Sequence, residues 1–181
     1  MGRVLKEIEK DRGPYIGTYT GGKFFFLDPQ PDDIKIEDIA HALSLICRYT
    51  GHCKTFYSVA EHSISVSALC DNSLEGLLHD ASEAYLNDLS SPLKFLLPDY
   101  KRVQSKIENA ICDKFGLDYP FSVNLKDIDT AQLKTEARHL LVDYHWIAHY
   151  ETNRKYGIVP ACLSPEKAEQ RFLDTFTELM Q

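Results

Sequence analysis

The sequence predicts a mostly α protein, a compact helical bundle with a short N-terminal β-hairpin at about residues 15–27. Three observations carry this expectation. From Pro31 onward, apolar residues recur at three- and four-residue spacing, the period that puts side chains on one face of a helix. Cap and stop residues fall where those runs begin and end: Ser58 with Glu61, Gly116, and Ser164-Pro165. Ahead of Pro31, Tyr15 to Tyr19 and Phe24-Phe25-Phe26 flank Thr20-Gly21-Gly22-Lys23, strand formers around a Gly-Gly turn.

Two strands alone are marginal, so the hairpin has to lean on the bundle. Ile36, Ile39, Ala40, Leu43 and Ile46 mark a first helix, ended by Thr50-Gly51, with Arg48 and Tyr49 at its C-terminal end. Ser58-Val59-Ala60-Glu61 reads as a capping box, the Ser oxygen taking one orphan N–H and the Glu reaching back for another. The second helix starts there and runs to about Cys70. Leu74, Leu77, Leu78, Ala81 and Tyr85 mark a third, and Val103, Ile107, Ala110 and Ile111 a fourth that stops at Gly116. Leu125, Ile128, Leu133, Leu140, Leu141 and Tyr144 carry a long fifth helix. Ser164-Pro165 caps a last one, with Ala168, Phe172, Phe176 and Leu179 inward.

At 181 residues and 44% hydrophobic, the chain fits one domain over 1–181 with a substantial core, and no repeat or linker divides it. Its formal charge of −7 argues against a surface that neutralises a nucleic-acid backbone. An anionic ligand must then be held by a local positive cluster or a metal. Five cysteines without a Cys-x-x-Cys pair fit neither a disulfide framework nor a zinc ribbon, and point to a reducing cytoplasm. The charged start Met1-Gly2-Arg3-Val4-Leu5-Lys6-Glu7 lacks the apolar core of a signal peptide, Lys6 breaks the myristoylation pattern, and no run reaches membrane-spanning length.

Chemistry is expected where polar residues fall on apolar stripes. His62 lies in the stripe of Val59, Val66 and Leu69. Asp129 lies between Leu125 and Leu133, where an isolated buried carboxylate is costly. His79 and Asp80 are adjacent, and Glu83 follows Asp80 by three residues, so all three can face one site. Two imidazoles and two carboxylates from three helices make a divalent-metal set. Plainer readings stand beside it: His62 as a hydrogen-bonded core histidine, Asp129 paired with Arg138 or Lys126, and His79-Asp80 on a solvated face. His145 and His149 have i, i+4 metal spacing but lack the Glu of His-Glu-x-x-His.

The order His62, His79-Asp80, Asp129 resembles the signature of the HD-domain metal-dependent phosphohydrolases. The surrounding segments 58–63, 78–84 (Leu-His-Asp-Ala-Ser-Glu-Ala) and 87–94 (Asn-Asp-Leu-Ser-Ser-Pro-Leu-Lys) resemble motifs of the compact bacterial and viral members that act on free nucleotides. Residues 36–57 and Thr135-Glu136-Ala137-Arg138 are similar to a phage-associated branch that includes a dATP triphosphohydrolase, related to bacterial 5′-deoxynucleotidases. The resemblance covers roughly residues 15 to 145. It implies that His62, His79, Asp80 and Asp129 hold a divalent ion (zinc, cobalt or manganese, with magnesium as an additional ion) and that Glu83 is the acid/base carboxylate. It also implies that Asp88 contacts the sugar 3′-hydroxyl, that Arg48, Lys94 and Lys126 contact phosphate, that Tyr49 stacks on the base, and that Pro92 shapes the base pocket. The implied activity is hydrolysis of a small-molecule deoxynucleotide, dATP or another dNTP first, with a dNMP-specific 5′-deoxynucleotidase as the alternative. A non-catalytic nucleotide-binding module and a structural metal domain are the rivals from other classes. Partners other than the substrate are copies of the chain, as a dimer or hexamer, in the cytoplasm of a bacterium or a phage-infected host.

Overall fold

β1 (Tyr15–Gly17) and β2 (Lys23–Phe25) form the expected hairpin in the computed structural model of the chain, which describes residues 12–155 and 157–181. The stretch Met1 to Glu7 lies outside the described residues. The strands are antiparallel, with Tyr15 opposite Phe25 and Gly17 opposite Lys23. Gly21 takes a left-handed φ of 83° in the turn, the conformation a residue without Cβ adopts at least cost. The hairpin leans on the bundle as two strands must. Buried Asp38 accepts from the Thr20 amide (2.7 Å) and hydroxyl (3.1 Å), and the Phe24 ring stacks on Tyr85 with centroids 3.6 Å apart.

Eight α-helices follow among the described residues: α1 (Ile36–Leu45), α2 (Val59–Ser67), α3 (Ser73–Leu78), α4 (Glu83–Leu86), α5 (Ser91–Phe95), α6 (Pro98–Phe115), α7 (Val123–Leu140) and α8 (Pro165–Leu179). Their apolar faces meet in a core that includes the fully buried Ile39, Leu43, Val59, Leu77, Ile107 and Phe172. α8 packs on α1, α2 and α3, and α7 on α2. α6 ends at Gly116 in the left-handed conformation (φ 71°), its N–H bonded to Cys112. Ser164 holds the N-cap position of α8 but makes no side-chain cap bond there. All five cysteines are free, and no described helix is long and apolar enough to cross a membrane.

Four expectations are corrected. α1 ends at Leu45, short of Thr50-Gly51, because the backbone of 46–48 pairs instead with 57–59: Arg48 N–H donates to the Tyr57 carbonyl and Val59 N–H to that of Ile46. Arg48 and Tyr49 therefore lie in a loop whose next residues include left-handed Thr50 and Gly51. α2 ends at Ser67, and only half of its capping box forms. Ser58 accepts from the Glu61 amide (3.1 Å), but the Glu61 carboxylate turns away to accept from the backbone N–H groups of Ala161, Cys162 and Leu163. Three donors outcompete one. The third helix is interrupted at residues 79–82, which separate α3 from α4. α7 stops at Leu140, so Leu141 and Tyr144 fall outside it and His145–His149 forms a short 3-10 turn.

One contact across the bundle fixes the site helices against each other. Glu75 of α3 accepts from the amide and hydroxyl of Ser122, the N-cap of α7, whose own hydroxyl accepts from Leu125 N–H. A carboxylate at a helix N-terminus is favoured by the unpaired amides there. It ties the helix that leads into His79 to the helix that carries Asp129.

Candidate metal centre

His62, in the middle of α2, is 0% exposed. Its Nδ1 lies 2.7 Å from Glu136 Oε1, and Nδ1 of His79, at the C-terminal cap of α3, lies 2.8 Å from the Gly76 carbonyl oxygen. A carbonyl only accepts, so His79 Nδ1 carries the proton, and against an ionised carboxylate His62 Nδ1 does too. Both rings are then left with Nε2 facing one space, 3.3 Å apart. Asp129 Oδ1 is 3.1 Å from His62 Nε2 and 3.9 Å from His79 Nε2. Asp80 Oδ2 is 3.3 Å from His79 Nε2 and 3.6 Å from His62 Nε2.

Donor atoms held about 2.0–2.1 Å from a tetrahedral ion lie about 3.4 Å from one another. The spacings here bracket that value. Two nitrogen lone pairs facing each other at 3.3 Å, flanked by two carboxylate oxygens, require positive charge between them, and His62, His79 and Asp129 form a group that can hold a metal ion. With protons alone, burial and Arg48 oppose charge on His62, but Glu136 and Asp129 outweigh them and lift it to about 10. Burial likewise works against the Asp129 carboxylate, and His62 and His79 overcome it and hold its pKa below the usual range. Asp129 makes no ion pair with Arg138 or Lys126. Lys126 is exposed on α7, and His145 and His149 are exposed.

Glu136 is the residue that sequence reasoning missed as a site residue. It is 0% exposed, and its Oε1 accepts from Tyr57 Oη (2.8 Å), His62 Nδ1 (2.7 Å) and Gln132 Nε2 (3.0 Å). Its Oε2 accepts from Arg48 Nε (3.1 Å) and Tyr49 Oη (3.3 Å). A carboxylate on the outer nitrogen of a ligating histidine fixes its tautomer and raises its basicity. The available signal was a polar stripe: Asp129, Gln132 and Glu136 recur at i, i+3 and i+7 on α7, and the last two are fully buried.

Burial pushes the Glu136 carboxyl up, yet His62 and Arg48 hold it down at about 2. Its folded pKa is below its ordinary value, so the stability it contributes is present above about pH 4.5 and is lost as pH falls toward 2. Wild-type protein is expected to lose about 3 kcal/mol through this group over that interval. Denaturant titrations between pH 6 and pH 2 measure it, and a variant without this carboxylate should show a flatter profile.

Arg48 does not cap α1. Buried to 8% exposure, it spans Glu136 and, through Nη1 at 3.5 Å, Asp80 Oδ2. The Tyr49 ring packs on Ala137, Leu141 and Ile147, and its hydroxyl also bonds the Leu133 carbonyl at 3.1 Å.

Glu83 is brought to Asp80 by the tightened winding between α3 and α4. Glu83 N–H donates to the Asp80 carbonyl (2.9 Å) and Ala84 N–H to that of Ala81 (3.2 Å), the i→i−3 pattern in which residues three apart eclipse. Glu83 is 3% exposed. Its Oε1 accepts from Lys94 Nζ at 2.8 Å, and its buried Oε2 has no hydrogen-bond partner among the described residues. Burial, with Asp80 and Asp88, lifts the Glu83 carboxyl well above the usual range, and Lys94 offsets part of this. Asp88 is half-buried in the α4–α5 link, after Asn87 in a strained conformation (φ 70°, ψ 158°), and its charge acts on Arg48 and Glu83. Pro92 is exposed in the first turn of α5, the helix that supplies Lys94.

Gly76 permits the close approach of α3 to α2: a Cβ there would lie 2.8 Å from Ser67 Cα and 2.9 Å from Cys70 Sγ. Gly76→Ala is expected to wedge the two helices apart, at about 1–3 kcal/mol, and to separate His62 from His79. Calorimetric titration with Mn²⁺ should show at least about tenfold weaker binding, a change of about 1.4 kcal/mol.

The fold and the site define a helical protein with a metal-competent His/Asp centre. No protein-family model matches the chain. It is 39% identical over 173 residues to the uncharacterized protein YfdR of Escherichia coli K12, covering 92% of this chain and 96% of YfdR. It is 34% identical over 137 residues to an uncharacterized protein of Rhodobacter capsulatus, covering 67% of this chain and 70% of that one. The chain belongs to the YfdR family.

Proposed function

We propose that the protein is a metal-dependent phosphohydrolase of free deoxynucleotides, a dATP or dNTP triphosphohydrolase that reshapes the nucleotide pool. The observation that carries this reading is the junction of two features: the convergent donor set of His62, His79, Asp80 and Asp129, and the buried Glu83–Lys94 pair one tight turn beyond Asp80. A structural metal site is normally closed and has no need of a buried carboxyl beside it with an oxygen left unbonded. The resemblance to HD-domain phosphohydrolases supports the same reading.

A divalent ion bound there supplies a Lewis acid and a water of lowered pKa. The chain's own residues do the rest. Glu83 Oε2 orients the attacking water and takes or returns its proton. Arg48 and Lys94 contact phosphate oxygens and offset charge as it develops. Asp88 accepts from the sugar 3′-hydroxyl. The reading places the protein in the cytoplasm as a homo-oligomer acting on a small molecule, with neither nucleic-acid polymer nor membrane as partner.

One observation favours the narrower 5′-deoxynucleotidase as a second reading. Arg48 and Lys94 already have carboxylate partners in Glu136 and Glu83, which leaves charge suited to one phosphate better than to three. Chromatography of reactions with Mn²⁺, Co²⁺, Zn²⁺ or Mg²⁺ against the deoxynucleoside mono- and triphosphates separates the two. Deoxyadenosine released from dATP supports the triphosphohydrolase, and loss of monophosphates alone selects the nucleotidase. No turnover with any metal would overturn both and favour a binding module.

A further inference from the structure

Residues 157–163 bind the helices of the metal centre at two points. One is the Glu61 carboxylate beside His62, which accepts from the backbone N–H groups of Ala161, Cys162 and Leu163. The other is Gln132, fully buried on α7, whose side chain pairs with the backbone of Ile158 in both directions: Ile158 N–H donates to Gln132 Oε1 (2.7 Å), and Gln132 Nε2 donates to the Ile158 carbonyl (2.9 Å). The same Nε2 donates to Glu136 Oε1 at 3.0 Å, the oxygen that His62 Nδ1 meets at 2.7 Å.

An amide side chain has two ends of nearly equal shape and opposite hydrogen-bonding character. Turned one way, Gln132 gives Glu136 a donor. Turned the other, it sets an oxygen against the carboxylate. Ile158 decides between them, because its N–H needs the amide oxygen and its carbonyl needs the NH₂ group. The backbone comes this close because residue 157 is glycine: a Cβ there would collide with Gln132 Oε1 and lie 2.8 Å from Gln132 Cα, while Gly157 N–H is held by Thr135 Oγ1 at 2.8 Å.

We propose that Gln132 is a positioning residue of the metal centre: the Gly157-Ile158 backbone sets its amide, and the amide holds Glu136 on the outer nitrogen of His62. Three hydrogen bonds make the relay, Ile158 to Gln132, Gln132 to Glu136 and Glu136 to His62, although Ile158 lies 26 residues beyond Gln132 in the chain. The partners of a ligating histidine tune the affinity of the ion as well as the tautomer of the ring. Tyr57 donates to the same Glu136 oxygen, so loss of Gln132 loosens the carboxylate without releasing it. The inference rests on the metal-centre reading and is independent of phosphohydrolase activity.

Co²⁺ titration of the full-length protein, followed by visible absorption, is the test, since the absorption of this ion reports ligand geometry as well as occupancy. Gln132→Met removes both ends of the amide at nearly constant volume, and Gly157→Ala displaces it without altering any residue of the centre. Both variants are expected to bind Co²⁺ about tenfold more weakly than wild type, with the visible band shifted. Phe172→Leu, a core truncation on α8, is the control, with a lower melting temperature but wild-type affinity and band position. Wild-type affinity and band in either of the first two variants, when folded by circular dichroism, overturn the proposal. So does an equal loss in Phe172→Leu, which would make the effect one of stability alone. Wild-type protein that takes up no Co²⁺ fails one step earlier, removing the metal centre and the positioning role with it.

Discussion

Glu136→Gln is expected to lower the melting temperature by roughly 5–10 °C and to weaken metal binding by about 10- to 100-fold. The carboxylate accepts on both oxygens, from Tyr57, His62 and Gln132 on one side and from Arg48 and Tyr49 on the other. An amide has one acceptor oxygen and one donor nitrogen, so whichever way it turns, its NH₂ group meets donors. Turned toward His62, it favours the wrong ring tautomer for a ligand. Turned toward Arg48, it leaves a buried cation short of its counter-charge, a loss of about 3–5 kcal/mol. Thermal unfolding and calorimetric Mn²⁺ titration read the two effects separately. A variant with wild-type affinity would show that Glu136 plays no part in orienting His62.

Glu83→Gln is expected to behave in the opposite way, keeping fold and metal while turnover falls about 10²- to 10⁴-fold. Gln has nearly the same shape, and its oxygen can still accept from Lys94, which binds Oε1 at 2.8 Å. What is lost is the group that the proposed mechanism needs to exchange a proton. Asp80→Ala is the contrasting control: it removes an oxygen 3.3 Å from His79 Nε2, and metal content and turnover should fall together. Metal analysis and product chromatography on the two variants measure this directly. Full turnover in metal-loaded Glu83→Gln would remove Glu83 from the chemistry.

Elements with local signals were readable in advance. Gly116 ends α6 and Pro165 opens α8 because a left-handed residue and a residue without an N–H act on their own turn. The hairpin followed from its Gly-Gly turn, and His62 and Asp129 stood out as polar residues on apolar stripes. The failures came where a distant segment competes with a local preference. The backbone at 57–59 ends α1 early, and 161–163 takes the Glu61 carboxylate from the capping box. The break at residues 79–82 gave no warning, since Asp80-Ala81-Ser82 carries neither Gly nor Pro. The stripe of Asp129, Gln132 and Glu136 on α7 marks Glu136 as a polar residue facing inward, but its partner His62 is 74 residues away and Lys94 is 11 residues from Glu83, so the pairings themselves are not written in either helix.

The clasp of Glu61 on the backbone of 161–163 has a consequence for how the protein is made. Glu61 immediately precedes His62, and its partners lie 100 to 102 residues downstream. A nascent chain can emit every residue of the candidate site, from Arg48 to Glu136, and still have the carboxylate beside His62 without its three donors. It also lacks α8, which covers α1, α2 and α3. Closing so long a loop is entropically costly and comes late. The site is therefore completed only once residues 161–163 have been made, and a truncation that stops before Ala161 is expected to leave α2 open.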